Sequence, residues 1–438
     1  MKMKKNKIRV ISAVVSAIML ASSASVFAKF DAYNDPDGFT LGHYEAEVNQ
    51  EQRADTEKLY EQRPKNERQF ENLSRGLVAV LGENGTLVSW RFLGTDSNSL
   101  TYNLYCSGEK LNDEPITTTN FFHTGASTNA EYTLKEVENG EETGVEYTTT
   151  AWDKNYIGFK VTEREGYNID DGAVADLDGD GEYEILLRRV PSMDVNKRTS
   201  YPVIEAYKTD GTHMWTIDIG PNEINEVDIN FLAYDMDGDG KAEVIMRSFE
   251  GTTDGKGNTT GDTNGDGITD YSKSESNLAI FKDRQYIVST PEFLSIYDGE
   301  TGEETDRTDL KPSKEPLSDW SYRYSDTGRL TKRASHYLFG LAYLDGVTPS
   351  VVMVRGAWDN VRAAAWHIED GKFKEDWVHN TENKDDVNSI WGACNHNLVT
   401  VDVDFDGKDE ILSGPMAIDH DGSEMYAVKV YDNDGNAH

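Results

Sequence analysis

The sequence has little of several features that would mark particular classes of protein. It contains 2 cysteines and 11 prolines in 438 residues, too few cysteines for a disulfide-stapled scaffold. Cys106 and Cys394 lie in different predicted domains, which favours two free thiols over a bridge. The 43 basic residues are outnumbered by 79 acidic ones, and this balance disfavours nucleic-acid binding. No helical period persists after residue 70, so we expect a chain built from strands.

Long apolar runs are also absent outside the first 28 residues, which have the pattern of a secretory signal peptide. Five cations lie within residues 2–9, an apolar run follows at Ile11–Leu20, and small residues precede Ala28. We therefore expect cleavage after Ala28, a secreted, extracellular protein and no membrane span. Removal of five cations and no anions would shift the formal net charge from −36 to −41.

The chain after the signal peptide divides into three predicted regions. Residues 29–67 are polar and lack periodicity, which indicates a linker or arm. Residues 68–152 contain short alternating segments separated by turns, and we interpret them as a fibronectin-like β-sandwich domain. The predicted strands of this domain are Gly76–Leu81, Thr86–Arg91, Tyr102–Tyr105, Glu131–Leu134 and Glu146–Thr149.

Residues 153–438 are dominated by a repeat. Three copies of Asp-x-Asp-x-Asp-Gly-x-x-Glu each lead into an apolar strand, and a fourth copy keeps the spacing with Asn at position 3 and Asp at position 9. A hairpin with an Asp-Gly or Gly-Glu turn recurs after these loops. All-strand units repeated at roughly 40 to 60 residues are typical of β-propeller blades. We predict a calcium-binding β-propeller catalytic domain over residues 153–438, and we expect it to be truncated at its C-terminus. The four loops are named loop 1 (Asp176–Glu184), loop 2 (Asp235–Glu243), loop 3 (Asp262–Asp270) and loop 4 (Asp402–Glu410).

Calcium is the metal that this loop pattern favours. Oxygens at positions 1, 3 and 5 converge, glycine at position 6 permits the turn, position 7 offers its carbonyl and position 9 completes a shell of hard oxygen ligands. The alternative is a set of solvated acidic turns, which the fourfold recurrence of one spacing argues against. The predicted ligands are Asp176, Asp178, Asp180, Glu182, Glu184, Asp235, Asp237, Asp239, Lys241, Glu243, Asp262, Asn264, Asp266, Ile268, Asp270, Asp402, Asp404, Asp406, Lys408 and Glu410.

Several segments, taken in their order along the chain, resemble one enzyme family. They are Glu71–Val80, Leu87–Arg91, Tyr234–Glu243, Ala342–Gly346 and Asn395–Leu398. Together they are similar to the calcium-dependent rhamnogalacturonan lyases of the eight-bladed β-propeller type, polysaccharide lyase family 11. The resemblance implies a lyase that cleaves the rhamnose–galacturonate bond of the pectic polysaccharide rhamnogalacturonan I by calcium-assisted β-elimination. We expect such a protein to act as a monomer.

Elimination next to a uronate requires a cation for the carboxylate and a base for the C5 proton. The candidate catalytic residues are Arg355, which follows an apolar segment, Arg362 and His396. The candidate substrate-binding residues are Arg333, Trp358, Asn395 and Asn397. The alternatives are a salt-bridged arginine at a strand edge, a structural histidine and a core tryptophan.

Two segments depart from the family pattern. Asn225–Asn230 stands where the family carries a histidine and an aromatic residue, and Ala357–Val361 replaces a tyrosine-rich segment. These departures keep two other functions open: a non-catalytic propeller that binds pectin or another glycan, and an integrin-like adhesion module.

Overall fold

The structure is a computed structural model that describes residues 58–64, 66–125, 129–191, 201–223, 230–282, 284–321, 325–356, 360–381 and 389–427. The predicted signal peptide, Trp358 and residues 224–229 lie outside these ranges. The chain forms two compact units. We call them the N-terminal unit (Phe70–Glu275 and Thr290–Asp309) and the C-terminal unit (the residues up to Gln69, Ser276–Ser289 and those from Leu310 onward).

The N-terminal unit begins with two antiparallel sheets around one core. Strands β1, β2 and β5 form one sheet, and β3, β4, β6 and β7 form the other in the order β4-β3-β6-β7. Trp90, Tyr102 and Leu134 lie in the shared core, where the rings of Trp90 and Tyr102 meet edge to face at 5.2 Å. The strands are β1 Val78–Gly82, β2 Gly85–Ser89, β3 Thr101–Cys106, β4 Glu109–Lys110, β5 Asn120–Thr124, β6 Glu131–Glu138 and β7 Glu141–Thr150.

Two four-stranded antiparallel sheets complete the N-terminal unit. The strand order is β11-β10-β9-β8 in one sheet and β12-β13-β16-β17 in the other. The two sheets share a core that includes Leu186, Trp215 and Val244. The strands are β8 Tyr167–Ala175, β9 Glu184–Pro191, β10 Val203–Tyr207, β11 His213–Asp218, β12 Phe231–Tyr234 and β13 Glu243–Phe249, with β16 Glu292–Tyr297 and β17 Glu304–Asp309 following later in the chain. Short 3-10 helices lie at Tyr271–Lys273 and Glu275–Asn277.

The described part of the C-terminal unit contains helical residues at 58–62, a hairpin, a further α-helix and two further four-stranded antiparallel sheets. The sheet orders are β18-β19-β20-β21 and β22-β23-β24-β25, and both contribute to one core around Val352, Ala363 and Ile411. The elements are β14 Leu278–Phe281, β15 Arg284–Ile287, a 3-10 helix at Leu317–Trp320, α1 Thr327–Ser335, β18 Tyr337–Ala342, β19 Ser350–Arg355, β20 Arg362–Glu369, β21 Lys372–Asn380, β22 Val399–Val401, β23 Glu410–Ser413, β24 Met416–Ile418 and β25 Glu424–Ala427.

The end of the predicted linker packs against loop 4 within the C-terminal unit. The ring of Tyr60 meets that of Phe405 at 5.9 Å, and the Asn66 amide donates to the Gly407 carbonyl at 3.0 Å. The Arg68 guanidinium makes two hydrogen bonds to the Asp409 carboxylate, at 2.8 and 3.1 Å. These contacts fix residues 60–68 on the loop.

The absence of helices was a wrong prediction, because α1 spans Thr327–Ser335. The Asp326 carboxylate caps this helix by accepting from the Arg329 amide at 2.9 Å. Leu330 and Ala334 supply its buried apolar side chains, and its nine residues are fewer than a periodicity reading of the sequence normally spans,. The prediction of an otherwise all-β chain is confirmed, and both cysteines are free. No helix within the described ranges is long and apolar enough to cross a membrane.

Candidate functional site

Loop 1 folds around the carboxylate at its first position. Asp176 accepts hydrogen bonds from the amides of Gly179 at 2.8 Å, Asp180 at 3.1 Å and Gly181 at 2.7 Å. Gly179 and Gly181 have positive φ angles of 78° and 88°, a region that glycine enters without strain,. Because one buried carboxylate organises the turn, positions 1, 3 and 5 are brought together.

Loops 2, 3 and 4 repeat this scheme. Amides three and five positions later donate to Asp235 and to Asp262, and the Gly407 amide donates to Asp402 at 3.1 Å. In each loop the amide of position 7 donates to the carboxylate of position 5. Three of the position 7 side chains contact residues outside their loops: Glu182 accepts from Ser74, Lys241 pairs with Glu300 and Lys408 contacts His420. The His420 ring also lies 3.6 Å from Asp406 and 4.0 Å from Glu410 of loop 4.

The two carboxylate oxygens of the glutamate at position 9 have different surroundings. One oxygen of Glu184, Glu243 and Glu410 accepts the amide of position 2, at 2.8, 2.9 and 2.7 Å respectively. In loop 4 the other oxygen of Glu410, like Oδ1 of Asp402, is buried and has no hydrogen-bond partner among the described residues. Such oxygens are suited to a cation, because an unpaired buried acceptor is costly.

Loop 3 differs at position 9. The Asp270 carboxylate accepts from Ser272, where it caps a 3-10 helix, and it pairs with Lys273 at 3.1 Å. The Tyr271 hydroxyl donates to Asp266 at 2.9 Å. Loop 3 therefore gathers fewer free carboxylate oxygens than the other loops.

Clusters of carboxylates in loops 1, 2 and 4 bring oxygen atoms within 4.8 Å of one another. Burial, and then repulsion from neighbouring carboxylates, raises the pKa of Glu243 to about 8 and that of Glu410 to about 9. Burial likewise raises the pKa values of Asp176, Asp235 and Asp402. Without a counter-charge, the folded loops favour protonated carboxyl groups over carboxylates.

The residue that follows the adjacent strand lies beside loops 1, 2 and 4, and at loops 1 and 4 its charge acts on a loop carboxylate. In the neighbouring strand, one residue pairs with the first residue after each loop. This residue is Tyr207 for loop 1, Tyr297 for loop 2 and Ile418 for loop 4. The next residues are Lys208, Asp298 and Asp419. The Lys208 ammonium pairs with Asp178, whereas the Asp419 charge helps to raise the pKa of Asp404.

The candidate catalytic residues Arg355 and Arg362 lie in the C-terminal unit as direct cross-strand partners at the ends of β19 and β20. Arg355 is completely buried. The Arg362 guanidinium donates to the Ser313 carbonyl at 2.6 Å, pairs with Asp319 and lies 5.1 Å from the ring centroid of Trp320. Arg362 thus holds the segment around the 3-10 helix in place.

His396 lies at the same end of this sheet. Its exposed ring meets the buried His336 ring at 5.2 Å, and the His336 carbonyl accepts from the Gly356 amide at 2.8 Å. His336 is next to Tyr337, the register partner of Arg355. Sequence reasoning missed His336, whose only signal was its place between the Arg333 segment and an apolar strand.

The candidate substrate-binding residues are only partly gathered at this end. Asn395 and Asn397 flank His396 and are exposed; Asn395 accepts from the His396 amide at 2.9 Å and Asn397 from the Gly414 amide at 3.1 Å. Arg333 lies half-buried in the last turn of α1. Trp358 lies outside the described residues.

Comparisons with known proteins identify the family. Residues 158–438 match "Rhamnogalacturonan lyase family 11, C-terminal domain", and residues 68–152 match "Rhamnogalacturonan I lyases beta-sheet domain". The chain is 38% identical over 376 residues to Rhamnogalacturonan endolyase YesW and 37% identical over 378 residues to Rhamnogalacturonan exolyase YesX, both of Bacillus subtilis (strain 168). Each alignment covers 82% of this chain, and the chain spans 57% and 58% of the two relatives.

Solved structures give the same result. The crystal structure of the exotype rhamnogalacturonan lyase YesX is similar with a TM-score of 0.71 and 37% identity, covering 83% of this chain and 59% of that one. A Bacillus licheniformis rhamnogalacturonan lyase gives a TM-score of 0.69 and 37% identity, covering 82% of this chain and 61% of that one. With its C-terminal domain match extending over residues 158–438, the chain belongs to rhamnogalacturonan lyase family 11.

Proposed function

We propose that the protein is a secreted rhamnogalacturonan lyase that cleaves the rhamnose–galacturonate bond of pectic rhamnogalacturonan I by β-elimination. The observation that carries this proposal is the family match over residues 158–438, which includes Arg355 and His396. The two similar curated proteins are named as an endolyase and an exolyase, and both names describe the same eliminative chemistry.

The end of the sheet that carries Arg355, Arg362, His336 and His396 suits an anionic substrate. In a chain with a formal net charge of −36, two neighbouring guanidinium groups provide a local positive region. The exposed His396 imidazole lies at the surface of this region, where it is accessible to a sugar, while Arg355 acts from beneath it. We assign Arg362 a positioning role, because its guanidinium is committed to Asp319 and to the Ser313 carbonyl.

The reaction requires three linked changes. A base removes the C5 proton of galacturonate, the C4=C5 double bond forms and the C4–O4 bond breaks, so that the oxygen leaves with rhamnose and is protonated. A cation near the carboxylate favours the first change because it stabilises the charge that develops next to the carboxylate. Among the described residues, Arg355 is the group that we propose to supply this field, with Arg362 holding the neighbouring segment in position.

Calcium is proposed as the resident metal of loops 2 and 4. Their carboxylates are gathered within 4.8 Å, and the pKa values of Glu243 and Glu410 show how strongly these loops need a counter-charge. All-oxygen donor sets of this kind fit calcium, which would supply charge balance and rigidity to the turns. The repeated four-stranded sheets behind the loops support the proposal that residues 153–438 form a β-propeller, and the two-sheet core before them supports a fibronectin-like sandwich.

The test is an assay of the purified protein with rhamnogalacturonan I and calcium. Elimination should produce an unsaturated uronate with an absorbance at ~235 nm, as metal-assisted proton abstraction next to a carboxylate implies. Saturated, reducing products would show hydrolysis and would overturn the proposal. Binding without any product would favour a non-catalytic glycan-binding protein.

A further inference from the structure

We propose that loop 1 binds no calcium ion, because the ammonium of Lys208 occupies the position that calcium occupies in loops 2 and 4. This inference rests on the calcium sites proposed above. Loops 1, 2 and 4 have the complete Asp-x-Asp-x-Asp-Gly-x-x-Glu motif, and the inference predicts that of these only loops 2 and 4 bind calcium.

The first observation is where the ammonium lies. Lys208 Nζ forms an ion pair with Oδ2 of Asp178 and lies 3.8 Å both from Oδ2 of Asp180 and from Oε1 of Glu184. These carboxylates are positions 3, 5 and 9 of loop 1, the positions that would ligate a metal ion. The ammonium therefore contacts a carboxylate oxygen at position 3 and lies near those at positions 5 and 9, with its side chain 37% exposed.

The backbone fixes Lys208 in this place. Tyr207 pairs with Ile185, the residue directly after loop 1, so Lys208 begins the turn between β10 and β11 beside the loop. The Lys208 amide donates to the Thr212 carbonyl at 2.9 Å, and the Gly211 amide donates to the Lys208 carbonyl at 2.9 Å. This closed turn delivers the side chain to the loop as a consequence of strand register.

The second observation is the contrast with loops 2 and 4. By the same register, the position of Lys208 is occupied by Asp298 beside loop 2 and by Asp419 beside loop 4. The turn beside loops 2 and 4 therefore carries an acidic residue where the turn beside loop 1 carries a lysine, a difference of two units of charge at one position. Asp298 accepts from the amide and hydroxyl of Thr301 within its own turn, and Asp419 lies 2.6 Å from His420 Nδ1, which is itself 3.6 Å from Asp406 of loop 4.

The Lys208 ammonium and a calcium ion cannot both occupy loop 1, for reasons of charge and of coordination. A divalent ion bound by these oxygens would lie close to the Lys208 ammonium, and the two like charges would repel each other. Calcium also needs six to eight oxygens, whereas an ammonium is satisfied by three acceptors. Lys208 donates a hydrogen bond to Asp178 and lies near two further carboxylates, those of Asp180 and Glu184.

The experiment counts calcium bound per chain by mass spectrometry of the metal after equilibrium dialysis. The four proteins are the wild type, Asp178→Asn, Lys208→Met and the double variant Asp178→Asn/Lys208→Met. We expect Asp178→Asn to bind as many ions as the wild type, because loop 1 holds none. Lys208→Met should gain one ion, since it keeps the length of the side chain without its charge, and the double variant should return to the wild-type count.

Loss of one calcium ion in Asp178→Asn would overturn the inference, as would an unchanged count in folded Lys208→Met. The comparison of wild type with Asp178→Asn decides the question even if Lys208→Met does not fold. Asp404→Asn is the matched control at position 3 of loop 4 and should lose one ion. If it loses none, the calcium sites themselves are wrong, a failure that is distinct from a wrong assignment of Lys208.

Discussion

Loop 1 and loop 4 share a sequence motif and a hydrogen-bond scheme but differ in electrostatics. In both, a position 1 aspartate organises the turn and a position 9 glutamate accepts the amide of position 2. Loop 1 receives an ammonium from Lys208, whereas loop 4 receives a further carboxylate from Asp419. The motif thus specifies the shape of the turn, and on the inference above the residue that follows the neighbouring strand determines which cation balances its charge.

The largest expected effect comes from calcium removal, and it separates the two loops. A ligand present at 1,000 times its Kd stabilises the folded state by about 4 kcal/mol, which corresponds to a melting temperature shift of roughly 10 °C in a unit of this size. Glu410→Gln should remove much of the difference between thermal scans with calcium and with chelator. Glu184→Gln, the matched change in loop 1, should lower both curves equally and preserve the difference. Equal loss of the calcium effect in both variants would contradict the proposal that calcium binds loop 4 but not loop 1.

A second effect is expected from pH in the presence of chelator. Folding raises the pKa of Glu243 to about 8 and of Glu410 to about 9 from an ordinary value of 4.5. The folded state therefore binds these protons more tightly than the unfolded state, so their contribution is complete below pH 4.5 and is lost as the pH rises towards 8 to 9. The melting temperature in chelator should fall between pH 5 and pH 8, and calcium should suppress the fall. Glu410→Gln should flatten the pH profile in chelator; a profile as steep as that of the wild type would show that Glu410 does not titrate as described.

The loops were predictable because their ligands are local in sequence. Five positions within nine residues place the carboxylates around one point, and the apolar residues that follow become β9, β13 and β23. Several strands of the first two sheets were predicted for the same reason, since alternation is a local pattern. The nine-residue helix α1 was missed because it is shorter than the stretch over which a helical period is normally recognised,.

The remaining features depend on register between distant residues. Lys208 reaches loop 1 only because β10 pairs with β9, and Arg362 is committed to Asp319, 43 residues away in the chain. The proximity of His336 to His396 likewise requires two different strands to end at one place. Spacing within one segment carries no information about such pairs.

The claim that the protein is a lyase is tested most directly by the fate of the glycosidic oxygen. Rhamnogalacturonan I is cleaved in water enriched in heavy oxygen, and the products are weighed by mass spectrometry before the new reducing end exchanges its oxygen with the solvent. Elimination breaks the C4–O4 bond of galacturonate, so rhamnose keeps its original oxygen and we expect no label together with one unsaturated uronate per cleavage. Label at the rhamnose anomeric carbon, with saturated galacturonate as the other product, would show that the enzyme is a hydrolase.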